Sequence, residues 1–169
     1  MTQKPIRMKI ISTRYEMKEF LFAQACADLA EEIELPDDIL GEVAEGEKIE
    51  IATDGTLSLE NGRVELSYDE TELTGMEGSR TAISFSEDTP ELITMVREGT
   101  VSTALVFEPN KRHHCVYKTP YMPFEVCVRT LKVDNKLDSE NEHTLYIDYI
   151  IEIRGAKAER TKFELTFFE

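Results

Sequence analysis

A chain of 169 residues with 34 acidic and 19 basic side chains has a formal charge of −15 at pH 7. This length is sufficient for one hydrophobic core, so we expect a single domain over residues 1–169. The charge repels phosphate backbones and anionic lipids, which excludes nucleic acid and membranes as expected partners. Three cysteines, an odd number without a pairing pattern, favour a cytoplasmic location.

The chain begins with one predicted strand, followed by an inserted helix. Residues 6–13 alternate apolar and polar side chains, as in a half-buried strand. From Met17 to Ile33 apolar side chains recur about every four positions, which predicts an amphipathic helix. The helix ends before Pro36, because the residue that precedes a proline avoids helical geometry. We place the whole helical insertion at about residues 17–44.

From about Lys48 to the C-terminus, short alternating runs follow one another with turn residues between them. Residues 53–56 predict a turn, and Asn61-Gly62 predicts a tight hairpin because both residues tolerate positive φ. Apolar positions change face within residues 124–133, which predicts a β-bulge near Arg129-Thr130. The strands predicted after the hairpin are residues 80–85, 92–97, 101–107, 113–119, 124–133, 144–154 and 162–168.

This succession of strands predicts a mainly β protein. We expect one closed or nearly closed antiparallel barrel of about 8–10 strands, with the N-terminal amphipathic helix inserted between the first two strands. Closure removes the exposed strand edges that promote aggregation. The helix is expected to cap one barrel end or to pack on the wall, and its alternative role is contact with a second subunit or partner.

Polar side chains interrupt the apolar alternation at a few strand positions. Tyr68 and Glu70 share one strand face, and so do Tyr117 and Thr119. A guanidinium inside a barrel needs an acceptor, and Glu70 is the natural partner of Arg97 because an arginine–carboxylate pair can be bidentate. The candidate ligand-binding residues are Tyr68, Glu70, Arg97, Tyr117, Thr119 and Thr130.

Two interpretations of this cluster remain open. The residues orient a small polar or anionic ligand at the barrel mouth, or they form a closed ion-pair and hydroxyl network that seals one barrel end. We expect no metal, because His113 and Cys115 share a strand face without a second pair of ligands. No cofactor and no catalytic residue are expected either, since the common nucleotide-binding and hydrolase motifs are missing.

Short signatures along the strands resemble a known family. Their order is Tyr68-Asp69-Glu70, Arg97-Glu98-Gly99, Leu105-Val106-Phe107, Tyr117-Lys118-Thr119-Pro120, Thr130 and Tyr149. In this order the chain, from Ile49 to its end together with the first strand, resembles the YwiB-like family of uncharacterised bacterial proteins, a domain of unknown function. The resemblance implies a calycin-like (lipocalin-like) barrel and a bacterial cytoplasmic setting, without an established activity.

Two features depart from the family pattern. The helical insertion is longer than the compact pattern allows, and Tyr121-Met122-Pro123 stands where a glycine is expected. For the function, we expect a non-enzymatic barrel that binds a small molecule. The alternative is a solid scaffold that binds a protein partner or a second copy through the helix and the acidic residues 31–60. An enzyme is the least favoured class.

Overall fold

A computed structural model shows ten strands in one closed antiparallel barrel. The structure describes residues 2–16, 47–137, 143–153 and 157–168. Each strand pairs with its neighbours along the chain, and β1 closes the barrel by pairing with both β2 and β10. The strands are β1 (Thr2–Glu16), β2 (Glu47–Glu60), β3 (Arg63–Asp69), β4 (Arg80–Ser86), β5 (Thr89–Glu98), β6 (Ser102–Phe107), β7 (Arg112–Lys118), β8 (Pro123–Asn135), β9 (Thr144–Ile153) and β10 (Lys157–Phe168).

The prediction of a mainly β, closed antiparallel barrel is therefore confirmed. The predicted helical insertion at about residues 17–44 lies outside the described residues. Within the described part of the chain, a short 3-10 turn at Glu72–Thr74 follows β3, and no helix there is long and apolar enough to cross a membrane.

The interior is filled by every second side chain of each strand. On β1 the inward residues Ile6, Met8 and Ile10 are buried, while Arg7 and Lys9 between them are exposed. Burial of such a large apolar side chain contributes roughly 1.5–3 kcal/mol each. The fully buried interior side chains include Met8, Leu66, Ile83, Ile93, Phe107, Val128, Leu145, Ile147, Leu165 and Phe167.

Antiparallel order gives the barrel two different ends. The last residues of β1, β3, β5, β7 and β9 meet the first residues of the even-numbered strands at one end. Interior side chains near this end are largely polar, and we call it the polar end. At the opposite, apolar end the interior holds Val64, Phe85, Phe107 and Phe167, all of which are buried.

The predicted hairpin is confirmed, but the predicted turn at residues 53–56 is wrong. Asn61 and Gly62 have φ values of 50° and 76° between β2 and β3, as a tight hairpin requires. β2 instead runs without a break through Gly55, which pairs with Tyr68 of β3. A Cβ atom at Gly55 would collide with Met8 Sδ and lie 2.8 Å from the Ser67 carbonyl oxygen. The glycine thus makes room for interior side chains.

The predicted bulge in β8 is confirmed. Pairing with β9 shifts between Thr130 and Lys132, so that Leu131 is an additional residue. Thr130 pairs with Tyr149 before the shift, and Val133 pairs with Ile147 after it. The bulge therefore returns the apolar residues beyond it to the interior.

Substitution of Gly55 by valine tests this packing. We expect Gly55→Val to lower the free energy of unfolding by about 1–3 kcal/mol, because the added methyl groups overpack the interior beside Met8. The control is Ala52→Val, at an exposed position of the same strand, with an expected change within about 0.5 kcal/mol. Urea denaturation measures both changes, and equal effects would contradict the packing argument.

Candidate functional site

The polar end is organised around one buried ion pair. Arg97 of β5 places Nη2 3.2 Å from Oε1 of Glu70, which directly follows β3. Their side chains are only 9% and 1% exposed. The pairing proposed from the sequence is confirmed. Since a buried charge without a partner is costly, each of these two groups requires the other.

Two threonines complete the hydrogen bonding of the Glu70 carboxylate. Thr81 of β4 accepts a hydrogen bond from Arg97 Nε at 3.1 Å and donates one to Glu70 Oε1 at 2.5 Å. The Thr74 hydroxyl lies 3.0 Å from the other carboxylate oxygen, Oε2. Both oxygens of Glu70 are therefore bound, and its negative charge is balanced by the guanidinium.

Tyr68 lies next to this group on the interior face of β3. Burial raises the pKa of its phenol well above the usual range, and the negative charge of Glu70 raises it further. The Tyr68 hydroxyl also has a polar interaction with Glu70, which raises the pKa in the same direction. The phenol thus stays protonated and acts as a donor.

The wall formed by β9 and β10 contributes a second buried tyrosine. Burial raises the pKa of Tyr149, while Arg14, a hydrogen bond with Thr161 and the charge of Arg97 oppose the increase. The Tyr149 ring packs on Phe107, with 4.6 Å between ring centroids. The charge of Arg97 on β5 thus affects the pKa of Tyr149 on β9. We call the buried polar groups that face each other across the interior in this way the polar layer.

Two buried hydroxyl groups in this layer have no partner among the described residues. Thr103 and Thr130 are 5% and 1% exposed, and neither Oγ1 atom makes a hydrogen bond there. Both face the interior, since Thr103 pairs with Arg97 and Thr130 with Tyr149. An unpaired buried hydroxyl typically costs about 1–3 kcal/mol.

The β3–β4 loop, residues 70–79, is attached to the β5–β6 turn on one side of the polar end. The backbone N–H of Val101 donates to Ser79 Oγ at 3.0 Å, and the Thr100 hydroxyl donates to the Glu77 carbonyl at 3.1 Å. Gly99 has a φ of 137°, and a Cβ there would collide with the carbonyl oxygen of Gly78. This close approach requires glycine.

The same loop reaches toward β7 on the other side. Met76 is buried, and its Sδ atom lies 3.8 Å from the Tyr117 hydroxyl. Hydrogen bonds to thioether sulfur are weak, so this contact holds the loop less firmly than the bonds around Ser79 and Thr100. The β3–β4 loop therefore lies over the interior, held firmly on the side of β5 and β6 and weakly on the side of β7.

The structure brings together most of the residues singled out from the sequence. Tyr68, Glu70 and Arg97 are in direct contact, while Tyr117 and Thr130 face the same interior. Thr119 is elsewhere, in the β7–β8 turn. Its hydroxyl donates to the Met122 carbonyl at 3.0 Å and accepts a hydrogen bond from the Met122 backbone N–H at 3.2 Å. That hydroxyl stabilises the turn.

Sequence reasoning missed Thr81, Thr103 and Thr161 as members of the polar layer. Each occupies an inward position of its strand, in alternation with buried residues such as Ile83, Leu105 and Phe163. A polar residue at an inward position was the available signal. Threonine is common in strands, so the signal was weak.

Polar groups on the outer wall form a separate network. Arg112 Nη2 lies 2.5 Å from Glu152 Oε2, and Arg112 Nε lies 3.2 Å from Cys127 Sγ. Burial raises the pKa of both Cys127 and Glu152, against the opposing effect of Arg112. Burial also raises the pKa of Cys115, which faces the interior. A raised pKa reduces the thiolate fraction, and this disfavours both thiols as nucleophiles.

Comparison with known proteins gives a family and a fold. The model of a family described as a domain of unknown function (DUF1934) matches residues 33–165. The crystal structure of the YwiB protein from Bacillus subtilis is similar, with a TM-score of 0.63 and 17% identity over 99% of this chain and 94% of that chain. At this identity the similarity shows the fold alone. No functionally curated protein matches the chain.

Removal of the guanidinium tests the dependence of Glu70 on Arg97. We expect Arg97→Met to lower the free energy of unfolding by about 3–5 kcal/mol, because Glu70 would remain charged and buried without compensation. The control is Arg7→Met, which removes the exposed Arg7–Asp54 pair between β1 and β2 (67% and 84% exposed). Such surface pairs contribute about 0–1 kcal/mol. Equal losses in urea denaturation would show that the buried pair has no special role.

The raised pKa of Tyr68 predicts a loss of stability at alkaline pH. The unfolded chain releases this proton near pH 10, whereas the folded protein keeps it to higher pH. Above about pH 10 the unfolded state binds fewer protons, so the free energy of unfolding falls as pH rises. Tyr68→Phe should lower the free energy of unfolding by about 1 kcal/mol at pH 7, because the polar interaction with Glu70 is lost, and should make the alkaline slope shallower.

Denaturation curves between pH 8 and pH 11 measure this slope. The control is Tyr121→Phe, since Tyr121 is 94% exposed in the folded protein. It should leave the slope unchanged. A Tyr68→Phe slope identical to that of the wild type would contradict the assignment.

Proposed function

The chain belongs to the DUF1934 family, whose name assigns no activity, and from this premise we propose that it is a non-enzymatic, calycin-like barrel that binds a small molecule at the polar end of its interior. The binding groups are the polar layer around Arg97, Thr103, Thr130 and Tyr149. Free buried cysteines fit a reducing, cytoplasmic setting for this function.

The observation that supports binding is the pair of unpartnered threonine hydroxyls. Valine has nearly the same shape as threonine and would remove the cost of burying an unpaired hydroxyl. A barrel selected for stability alone gains nothing from Thr103 and Thr130 at these positions. A bound molecule that exchanges hydrogen bonds with them offsets the cost, as in ligand sites that are largely apolar with a few convergent polar groups.

A purely structural network accounts for only part of the polar layer. Arg97, Glu70, Thr81 and Thr74 satisfy one another, and a seal of the barrel end would need nothing more. The structural interpretation leaves the hydroxyls of Thr103 and Thr130 without a role. The alternative of a protein-binding module remains a prediction, because much of its proposed surface lies outside the described residues.

Isosteric substitution separates ligand binding from a structural role. We expect Thr103→Val and Thr130→Val each to raise the free energy of unfolding of the ligand-free protein by about 1 kcal/mol. Both variants should also lose the small molecule that accompanies wild-type protein purified from its own host. Urea denaturation measures the first effect, and native mass spectrometry measures the second.

The matched control is Thr161→Val, an interior threonine whose hydroxyl is hydrogen-bonded to Tyr149. It should be destabilised, because the Tyr149 hydroxyl loses its partner. If all three variants lose stability alike, and the wild-type protein carries no additional mass, the proposed binding function is wrong.

A further inference from the structure

The interior site carries opposite charges in balance, and we propose that it takes an uncharged, hydrogen-bonding molecule, which enters between Met76 and Tyr117. This inference rests on the proposed binding function and narrows it. The sequence predicted a small polar or anionic ligand, and the arrangement of charges favours the polar, uncharged class.

The first evidence is the neutrality of the central pair. Arg97 is the cation that an anionic ligand would need, and it is already paired with Glu70 at 3.2 Å. Glu70 is 1% exposed, so water screens its charge poorly. A ligand carboxylate placed against Arg97 would therefore meet Glu70 at short range.

The second evidence comes from the other charges around the layer. Arg14 and Glu159 both act on the Tyr149 hydroxyl, with opposite effects on its pKa. Together with Arg97 and Glu70 they make two positive and two negative groups among the described residues. Between these four groups an additional charge would be uncompensated, and burial of an uncompensated charge is costly.

The remaining hydrogen-bonding groups suit neutral oxygen atoms. The hydroxyls of Thr103 and Thr130, which have no partner among the described residues, can both donate and accept. A carbonyl or hydroxyl oxygen satisfies such groups without bringing a net charge. Small amides, alcohols and other polar, uncharged compounds have this chemistry.

The route of entry follows from the two attachments of the β3–β4 loop. Its side near Ser79 is held by two hydrogen bonds between hydroxyl side chains and the backbone, and a collision prevents any side chain at Gly99. Its side near β7 rests on the weak contact between Met76 and Tyr117. Opening there breaks the hydrogen bond between Met76 and Tyr117 and leaves the buried Arg97–Glu70 pair in place.

Cys115 provides a probe inside the barrel. It is buried on the interior face of β7, two residues before Tyr117, whereas Cys127 faces the outer wall. In a Cys26→Ser/Cys127→Ser background, only Cys115 can react. The reagents are propyl, sulfonatoethyl and aminoethyl methanethiosulfonate, which are similar in size and are neutral, anionic and cationic. Each thiolate attack forms a disulfide, expels methanesulfinate and releases the thiol proton to water.

The measured quantity is the labelling rate of the folded protein divided by the rate of the same reagent on the urea-unfolded chain. We expect the propyl reagent to exceed both charged reagents by about 30-fold or more in this ratio, because a charged group must lose its hydration to enter an interior whose charges are balanced.

Met76→Ala should raise all three rates at least tenfold and preserve their order. Met122→Ala, at an exposed position of the β7–β8 turn, should leave them unchanged.

Glu70→Gln should weaken the selectivity against the anionic reagent. Without the carboxylate, Arg97 becomes an unbalanced cation, and the normalised rate of the anionic reagent should rise at least tenfold relative to that of the neutral one. Glu72→Gln, at an exposed position of the same loop, should have no such effect. If Glu70→Gln does not fold, the normalised rates of the neutral and charged reagents on the protein with native Glu70 decide whether the site prefers uncharged molecules.

The two proposals fail in different ways. Equal normalised rates for neutral and charged reagents in the wild-type background would overturn the uncharged class while leaving an accessible interior. Labelling by every reagent only at the rate of global unfolding would show a closed interior and overturn the binding function itself.

Discussion

The buried pair of Arg97 and Glu70 is the interaction on which the polar end depends. Neither charge is tolerable alone in the barrel interior, so the loop that carries Glu70 must lie against the strand that carries Arg97. Thr81 and Thr74 complete the hydrogen bonds of the carboxylate, and Tyr68 stays protonated beside it. The need to neutralise Arg97 and Glu70 thus positions the β3–β4 loop and supports the hydroxyl network around the carboxylate. The pair itself carries no net charge.

The two ends of the barrel differ in how their interior side chains affect stability. At the apolar end, interior residues such as Phe85, Phe107 and Phe167 are almost completely buried, and their packing supports the fold. At the polar end, the hydroxyls of Thr103 and Thr130 reduce stability, because neither has a partner among the residues that the structure describes. Such a local cost is typical of sites kept for binding, where polar groups are arranged for a partner that the folded chain alone does not supply.

The outer wall has its own buried charges, which the interior site does not use. Arg112 binds Glu152, and Arg160 forms a bidentate pair with Asp148 at 2.9 and 2.6 Å. These pairs tie β7 to β9 and β9 to β10 on the face opposite to the lumen. Because the two networks lie on different faces of the same wall, substitutions can perturb one without directly contacting the other, and this separation makes the interior site testable by itself.

The alternation of side chains by itself determined the mainly β class, the tight turn at Asn61-Gly62 and the bulge near Thr130. All of these follow from residues close together in the chain. The Arg97–Glu70 pair was also predictable, because a buried guanidinium needs a carboxylate and Glu70 was the natural candidate. Only the tertiary structure decided that Thr103 and Tyr149 share this layer, that Thr119 belongs to a turn, and that β2 continues through Gly55. Those facts depend on pairing between distant strands and on closure of β1 with β10, which local patterns do not encode.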